Sequence, residues 1–329
     1  MRALSGIQPS GRLHIGNYYG ALRQHLALMH DDANETYYFM ATYHALTTTR
    51  DPNELRQLTL DVAIDYLALG LDPKKSILFR QQDVPEVTEL TWILSCVCPM
   101  GLLERATSYK DKVTQGLMAN HGLFAYPVLM ASDILIYRPH VVPVGRDQKQ
   151  HIEITRDLAT KFNNEFGEVF VVPDAYIIES TAVVPGLDGR KMSKSYGNEI
   201  GMAETGKALR KKVMAIVTDS APVEAPKDPE TSTPYLLLKL MATADETAAW
   251  AERYRAGGMG YGEVKQRLYE LIEETFAPFR ERRRALEDDL AYVEDVLADG
   301  GRRARATAHG VMHDVREATG LPISYTPPL

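Results

Sequence analysis

Apolar residues pass along the first half of the chain in two alternating rhythms. Short, nearly continuous apolar stretches occur at "RALSGI", "TYYFMAT", "KSILFRQ" and "HVVPVG", and longer segments between them return an apolar residue every three or four positions. Continuous runs predict buried parallel strands, and the longer spacing predicts amphipathic helices laid over them. "NELRQLTLDVAIDYLALG" is the clearest helix and should stop at Gly70, and "RDQKQHIEITRDLATKFNNEF" is a second. The alternation predicts an α/β fold, a Rossmann-like doubly wound parallel sheet over residues 1–184. Ligands of such sheets sit at the carboxyl ends of the strands.

From Pro185 to Gly206 the periodicity lapses into glycines, serines and lysines, which predicts a mobile loop. Beyond it, "APVEAPKDPE" (221–230) reads as linker or surface loop, while "TPYLLLKLM", "GEVKQRLYELIEETFAPFRERRRALE" and "DLAYVEDVLADG" read as helices. Residues 207–329 are therefore expected to form a C-terminal all-helical domain.

Composition narrows the class. With 329 residues, 45% hydrophobic and 25% charged, the chain can bury two cores. No stretch approaches a membrane span, and the start lacks a signal-peptide pattern, so a cytoplasmic protein is expected. Cys96 and Cys98 form a lone C-x-C, a poor zinc cage, and are expected to be buried thiols; no protein-held metal is expected. The net charge of -7 argues against indiscriminate polyanion binding, although Arg and Lys cluster at 208–213, 280–284 and 300–310.

Two stretches carry candidate chemistry. "QPSGRLHIGN" (8–17) joins the first strand to the first helix. Free backbone N–H groups and the positive helix end favour phosphate there. Neither a Walker loop nor G-x-G-x-x-G is present. Instead His14 and Asn17 offer donors, and Gly16 lets a flat purine approach the backbone. "KMSKS" (191–195) sets Lys191 and Lys194 three residues apart on a glycine-flanked loop, suited to closing over a departing pyrophosphate.

In that order, on either side of a parallel-sheet pattern, "HIGN" resembles the HIGH signature and "KMSKS" the lysine loop of class I aminoacyl-tRNA synthetases. The compact length is similar to the tryptophan and tyrosine subgroup. "SGIQPSG", "YPVLMASDILIY" (126–137) and "VPVGRDQKQHIEITRDLA" resemble the bacterial-type tryptophanyl-tRNA synthetases in particular. On a helix, Tyr126, Met130 and Asp133 share one face, so that Asp133 can accept the single indole N–H while Met130 lies against the ring. Tyrosyl enzymes generally carry glutamine where Met130 stands, and the tyrosyl reaction is the nearest alternative. A synthetase paralogue that senses an amino acid or binds a protein is another.

The resemblance implies the remaining roles. Tyr126 and Gln148 would hold the substrate ammonium, with His44 and Leu4 completing the tryptophan pocket. Gln8, Pro9, Ser10, His14, Gly16, Asn17 and Arg146 would lie against ATP, Gly145 and Asp147 at its ribose, and Val184 at its adenine. Lys191, Met192, Ser193, Lys194 and Ser195 would close over the leaving pyrophosphate, helped by Lys110. Leu4 stands where many relatives have phenylalanine, and Arg146 where "GEDQ" is usual. Mg²⁺ is expected on the phosphates of ATP. The implied partners are tRNA(Trp), met by some of Arg280 to Arg284 and Arg302 to Arg305, and a second copy of the chain in a homodimer.

Overall fold

Five parallel strands in the order β3-β2-β1-β4-β5 form the centre of the molecule: β1 (Arg2–Ile7), β2 (Glu35–Met40), β3 (Ser76–Arg80), β4 (Val141–Val144) and β5 (Asp174–Ile177). The structure is a computed structural model and describes residues 1–106, 120–145, 148–177 and 184–323. Four strands coincide with the apolar runs. The fifth is short and half exposed, with Tyr176 45% accessible at the sheet edge, so no apolar run announces it. Leu4 lies beside Tyr37 and Gly6 beside Phe39 in the β1–β2 register.

A first helix, α1 (residues 15–30), begins at His14 and contains a π-helical turn at Tyr18–Leu22. Next, α2 (Pro52–Ala68) starts where the Asp51 carboxylate accepts the N–H groups of Asn53 and Glu54, with Pro52 in the first turn. It stops as expected at Gly70, whose φ of +100° suits glycine. Three more helices cover the sheet, α3 (Glu86–Val97), α4 (His121–Leu135) and α5 (Lys149–Phe166).

Five helices follow: α6 (Gly206–Met214), α7 (Thr233–Lys239), α8 (Ala244–Ala256), α9 (Tyr261–Asp288) and α10 (Leu290–Thr319). One apolar cluster joins Val264, Leu268 and Phe276 of α9 to Val62 and Tyr66 of α2 and Tyr38 of β2. A second, on the other sheet face, joins Phe39 and Phe79 to α3, α4, α5 and the far half of α10, including Ala304, Ala308 and Met312. The last helix passes through Gly300 and Gly301. It runs on for nineteen residues to Thr319, because Gly300 and Gly301 are its crossing point on the sheet: a Cβ on Gly300 would lie 1.9 Å from the Leu78 carbonyl oxygen.

One expectation is corrected. Cys96 is exposed and Cys98 half-buried, since α3 turns Ile93 and Leu94 inward and leaves Cys96 on the side of Trp92, which is 73% exposed. The arginine cluster is largely structural. Arg283 is buried between Asp61 and Asp65 of α2, Arg280 bonds Glu273 and backbone carbonyls, Arg282 reaches the Ala68 carbonyl, Arg303 the Pro73 carbonyl and Arg305 the Glu86 carboxylate. Arg284 and Arg302 remain exposed.

Candidate active site

The strand order reverses between β1 and β4, and a cavity of about 450 Å³ opens at the carboxyl ends of these two strands. A doubly wound sheet leaves its crevice at such a switch point because the crossover helices depart to opposite faces there. Helix α4 presents Tyr126, Met130 and Asp133 to this cavity together, as their spacing predicts. Leu4, Gln8, His44, Gly145 and Gln148 line it as well. An aromatic wall comes from Phe39 on the neighbouring strand, whose ring fills the place where a Cβ on Gly6 would stand, 2.5 Å from Cζ.

Asp133 is buried and accepts hydrogen bonds from two side chains. His44 Nε2 lies 2.8 Å from Oδ2, and Gln81 Nε2 lies 2.7 Å from Oδ1 and 2.9 Å from Oδ2. Burial raises its carboxyl above the usual carboxylate range, while the hydrogen bonds from His44 and Gln81 work against that rise. Gln81 belongs to no motif in the chain, and only the fold, which carries the end of β3 to α4, brings it to Asp133. Tyr126 meets the His151 ring through its hydroxyl.

The turn after β1 supplies Gln8 to this cavity and Arg12, Leu13 and His14 to a smaller neighbour of about 350 Å³. Lys194 and Glu199 line the neighbour too. His14 starts α1 as its N-cap: Asn17 N–H donates to Nδ1 at 3.3 Å, and His14 N–H donates to the Asn17 Oδ1 at 3.0 Å. An accepting Nδ1 places the proton of the neutral ring on Nε2. Burial, with Lys194 opposing a second positive charge, lowers the imidazole to about 4, so at neutral pH it is an uncharged donor.

The lysine loop is fastened to this turn. Ile15 N–H donates to the Ile200 carbonyl at 2.9 Å, and Gly16 N–H meets the Met192 sulfur at 3.3 Å. Gly16 here makes room for protein, since a Cβ would lie 2.9 Å from His14 Nδ1 and 3.1 Å from Met192 Cβ. Lys194 folds back on Gly11, with Nζ 3.1 Å from where a Cβ would stand. Burial draws its ammonium below the usual lysine range, and Asp65 and Glu199 pull the other way.

Buried Asn198 shapes the loop. It accepts from Ser193 N–H at 2.8 Å and donates to Asp188 at 2.7 Å and to the Lys191 carbonyl at 3.2 Å. Ser193 in turn accepts from Ser195 N–H. Val184 is buried and its carbonyl accepts from Met192 N–H, whereas Lys191 and Ser195 are exposed. Pro9 is buried and Ser10 exposed in the 8–14 turn. Lys110, Arg146 and Asp147 lie outside the described residues. Among the described residues no group of three His, Cys, Asp or Glu could hold a metal, and no helix is long and apolar enough to cross a membrane.

Known proteins are similar to this chain along almost its whole length. The profile of the family described as tRNA synthetases class I (W and Y) matches residues 1–277. A tryptophan–tRNA ligase of Rhodopirellula baltica is 54% identical over 98% of this chain and all of its own, and that of Fusobacterium nucleatum is 50% identical over 97% and 98%. The crystal structure of Campylobacter jejuni tryptophanyl-tRNA synthetase with ADP and tryptophan superposes with a TM-score of 0.90, at 47% identity over 98% of this chain and all of that one.

Proposed function

Because the chain belongs to the class I tRNA synthetases of the W and Y group, we propose that it activates L-tryptophan with ATP and transfers it to tRNA(Trp). The observation that carries this reading is the buried Asp133 beside Met130 at the switch-point cavity, a carboxylate set to receive one N–H of a large flat ring.

The tryptophan carboxylate attacks the α-phosphorus in line and expels pyrophosphate, and the terminal ribose of tRNA then attacks the mixed anhydride. The substrates supply both nucleophile and leaving group, so the protein positions them and meets the shifting charge. Tyr126 and Gln148 hold the tryptophan ammonium. Gln8, the Nε2–H of His14 and Asn17 steady the α-phosphate, Gly145 and Asp147 the ribose, and Val184 the adenine. Lys191 and Lys194, assisted by Lys110, receive charge as pyrophosphate departs. For this, the 185–206 loop moves Lys194 from Gly11 toward the nucleotide. Mg²⁺ arrives on the phosphates of ATP, and no step is assigned to it.

In the same proposal the 207–329 segment reads the anticodon, with Arg284 and Arg302 among its exposed cations. A homodimer buries the face formed by α3 and the short helix after it (Met100–Glu104), where Trp92 and Met100 are 73% and 62% exposed. The enzyme works in the cytoplasm. Amino-acid-dependent pyrophosphate exchange, run with each protein amino acid and followed by charging of total tRNA, tests the function. Exchange with tryptophan alone is expected; exchange driven by tyrosine would overturn it.

A further inference from the structure

Gln81 opens the short turn after β3 and is 2% exposed. The direction of its amide is set by its neighbours. Tyr43 N–H can only donate and lies 2.8 Å from Oε1, so the NH₂ group must face Asp133. An ionised carboxylate offers about four acceptor directions, two on each oxygen. The NH₂ group of Gln81 meets both oxygens on one side of the carboxylate, with Nε2 2.7 Å from Oδ1 and 2.9 Å from Oδ2, and His44 occupies the second direction on Oδ2 at 2.8 Å. One direction on Oδ1 is left, on a residue that lines the cavity.

We propose that Gln81 is a positioning residue for substrate selection: it turns the Asp133 carboxylate and reserves a single Oδ1 acceptor for the indole N–H, so that the site prefers a ring bearing that proton over an isostere without it. This rests on the reading that Asp133 receives the indole. Gln81 is not among the described residues lining the cavity, so its influence passes through Asp133. A charged acceptor left without its donor strongly disfavours binding, which is why one fixed acceptor can discriminate between rings of equal size. The backbone contact to Tyr43 matters equally, because it prevents the amide from flipping and offering its oxygen to the carboxylate.

The test uses Gln81→Met and Gln81→Leu, each of which removes the amide donors. Pyrophosphate exchange is measured with tryptophan and with the analogue whose indole nitrogen is replaced by sulfur, alongside the KM for ATP. Both variants are expected to raise the tryptophan KM roughly 10- to 100-fold and to reduce the tryptophan-over-analogue ratio of kcat/KM by at least about tenfold. The ATP KM should stay within about twofold, a split that general loosening would not produce. Asp133→Ala separates the two levels. If it keeps the discrimination, the underlying reading of Asp133 falls. If it loses the discrimination while the folded Gln81 variants keep KM and ratio within about twofold of wild type, the Gln81 proposal alone is overturned. Should Gln81→Met fail to fold, by urea unfolding, Gln81→Leu decides.

Discussion

At His14 one imidazole does two jobs that can be pulled apart. Nδ1 caps α1 by accepting from Asn17 N–H, which leaves Nε2–H to donate to a ligand. Asparagine is itself a strong N-cap but carries no donor where Nε2 stands. His14→Asn should therefore unfold at nearly the wild-type urea midpoint while tryptophan-dependent pyrophosphate exchange slows about tenfold. Lys194 brings a full positive charge in place of a neutral donor. Lys194→Ala should slow exchange by about 100-fold or more with tryptophan binding nearly unchanged in equilibrium dialysis. Near-normal exchange at saturating ATP would remove the lysine from its role.

Among the elements, α10 shows how two glycines act differently from a helix stop. Neither Gly300 nor Gly301 ends the helix; both lie where it crosses β3 and the turn after it, close enough that a Cβ on Gly301 would meet Asp83 Cβ at 2.9 Å. Gly300→Ala should thus destabilise the protein by about 3 kcal/mol through overpacking against backbone that cannot retreat, instead of gaining helix propensity. Urea denaturation of the two proteins reads the difference, and a more stable variant would show that the helix can shift on the sheet without loss. The lysine loop follows another logic. Its regular structure is one short 3-10 turn at Lys194–Tyr196, and it is held by the side chain of Asn198, by the Ile200 carbonyl on Ile15 and by the burial of Met192, Ile200 and Met202 in the first apolar cluster.

Across the whole molecule, buried ionisable groups tie the parts together and set the response to acid. Arg283 of α9 sits between Asp61 and Asp65 of α2, joining the late helices to the sheet layer. His25 is buried against Tyr38 and Tyr66, with Nδ1 3.0 Å from the Tyr66 hydroxyl, and burial lowers it to about 3. His14 is lowered to about 4. The unfolded chain takes protons at these rings near pH 6.5 and the folded chain only below 4, so stability is lost as pH falls through that window. Asp65, raised by burial to about 6 against the pull of Arg283, works the other way between about pH 6 and 4, since the folded chain keeps its proton longer. Two histidines outweigh one aspartate. The urea midpoint should be lower at pH 5 than at pH 7.5, and His25→Gln should narrow the gap; an unchanged gap would mean that His25 is protonated in the folded state.

What the amino-acid order determined by itself was whatever depends on neighbours in the chain. Four strands, the helix ending at Gly70, the common face of Tyr126, Met130 and Asp133, and the two signatures at 14–17 and 191–195 all follow from local periodicity and spacing. Tertiary structure decided what depends on residues distant in sequence. It brought Gln81 to Asp133 from 52 residues away and seated Arg283 between two acids 222 and 218 residues away. It also exposed Cys96 beside Trp92 and set Gly300 against the Leu78 backbone as a crossing point. Local pattern specifies which way a side chain points from its own element; only the packing of elements specifies what it meets there.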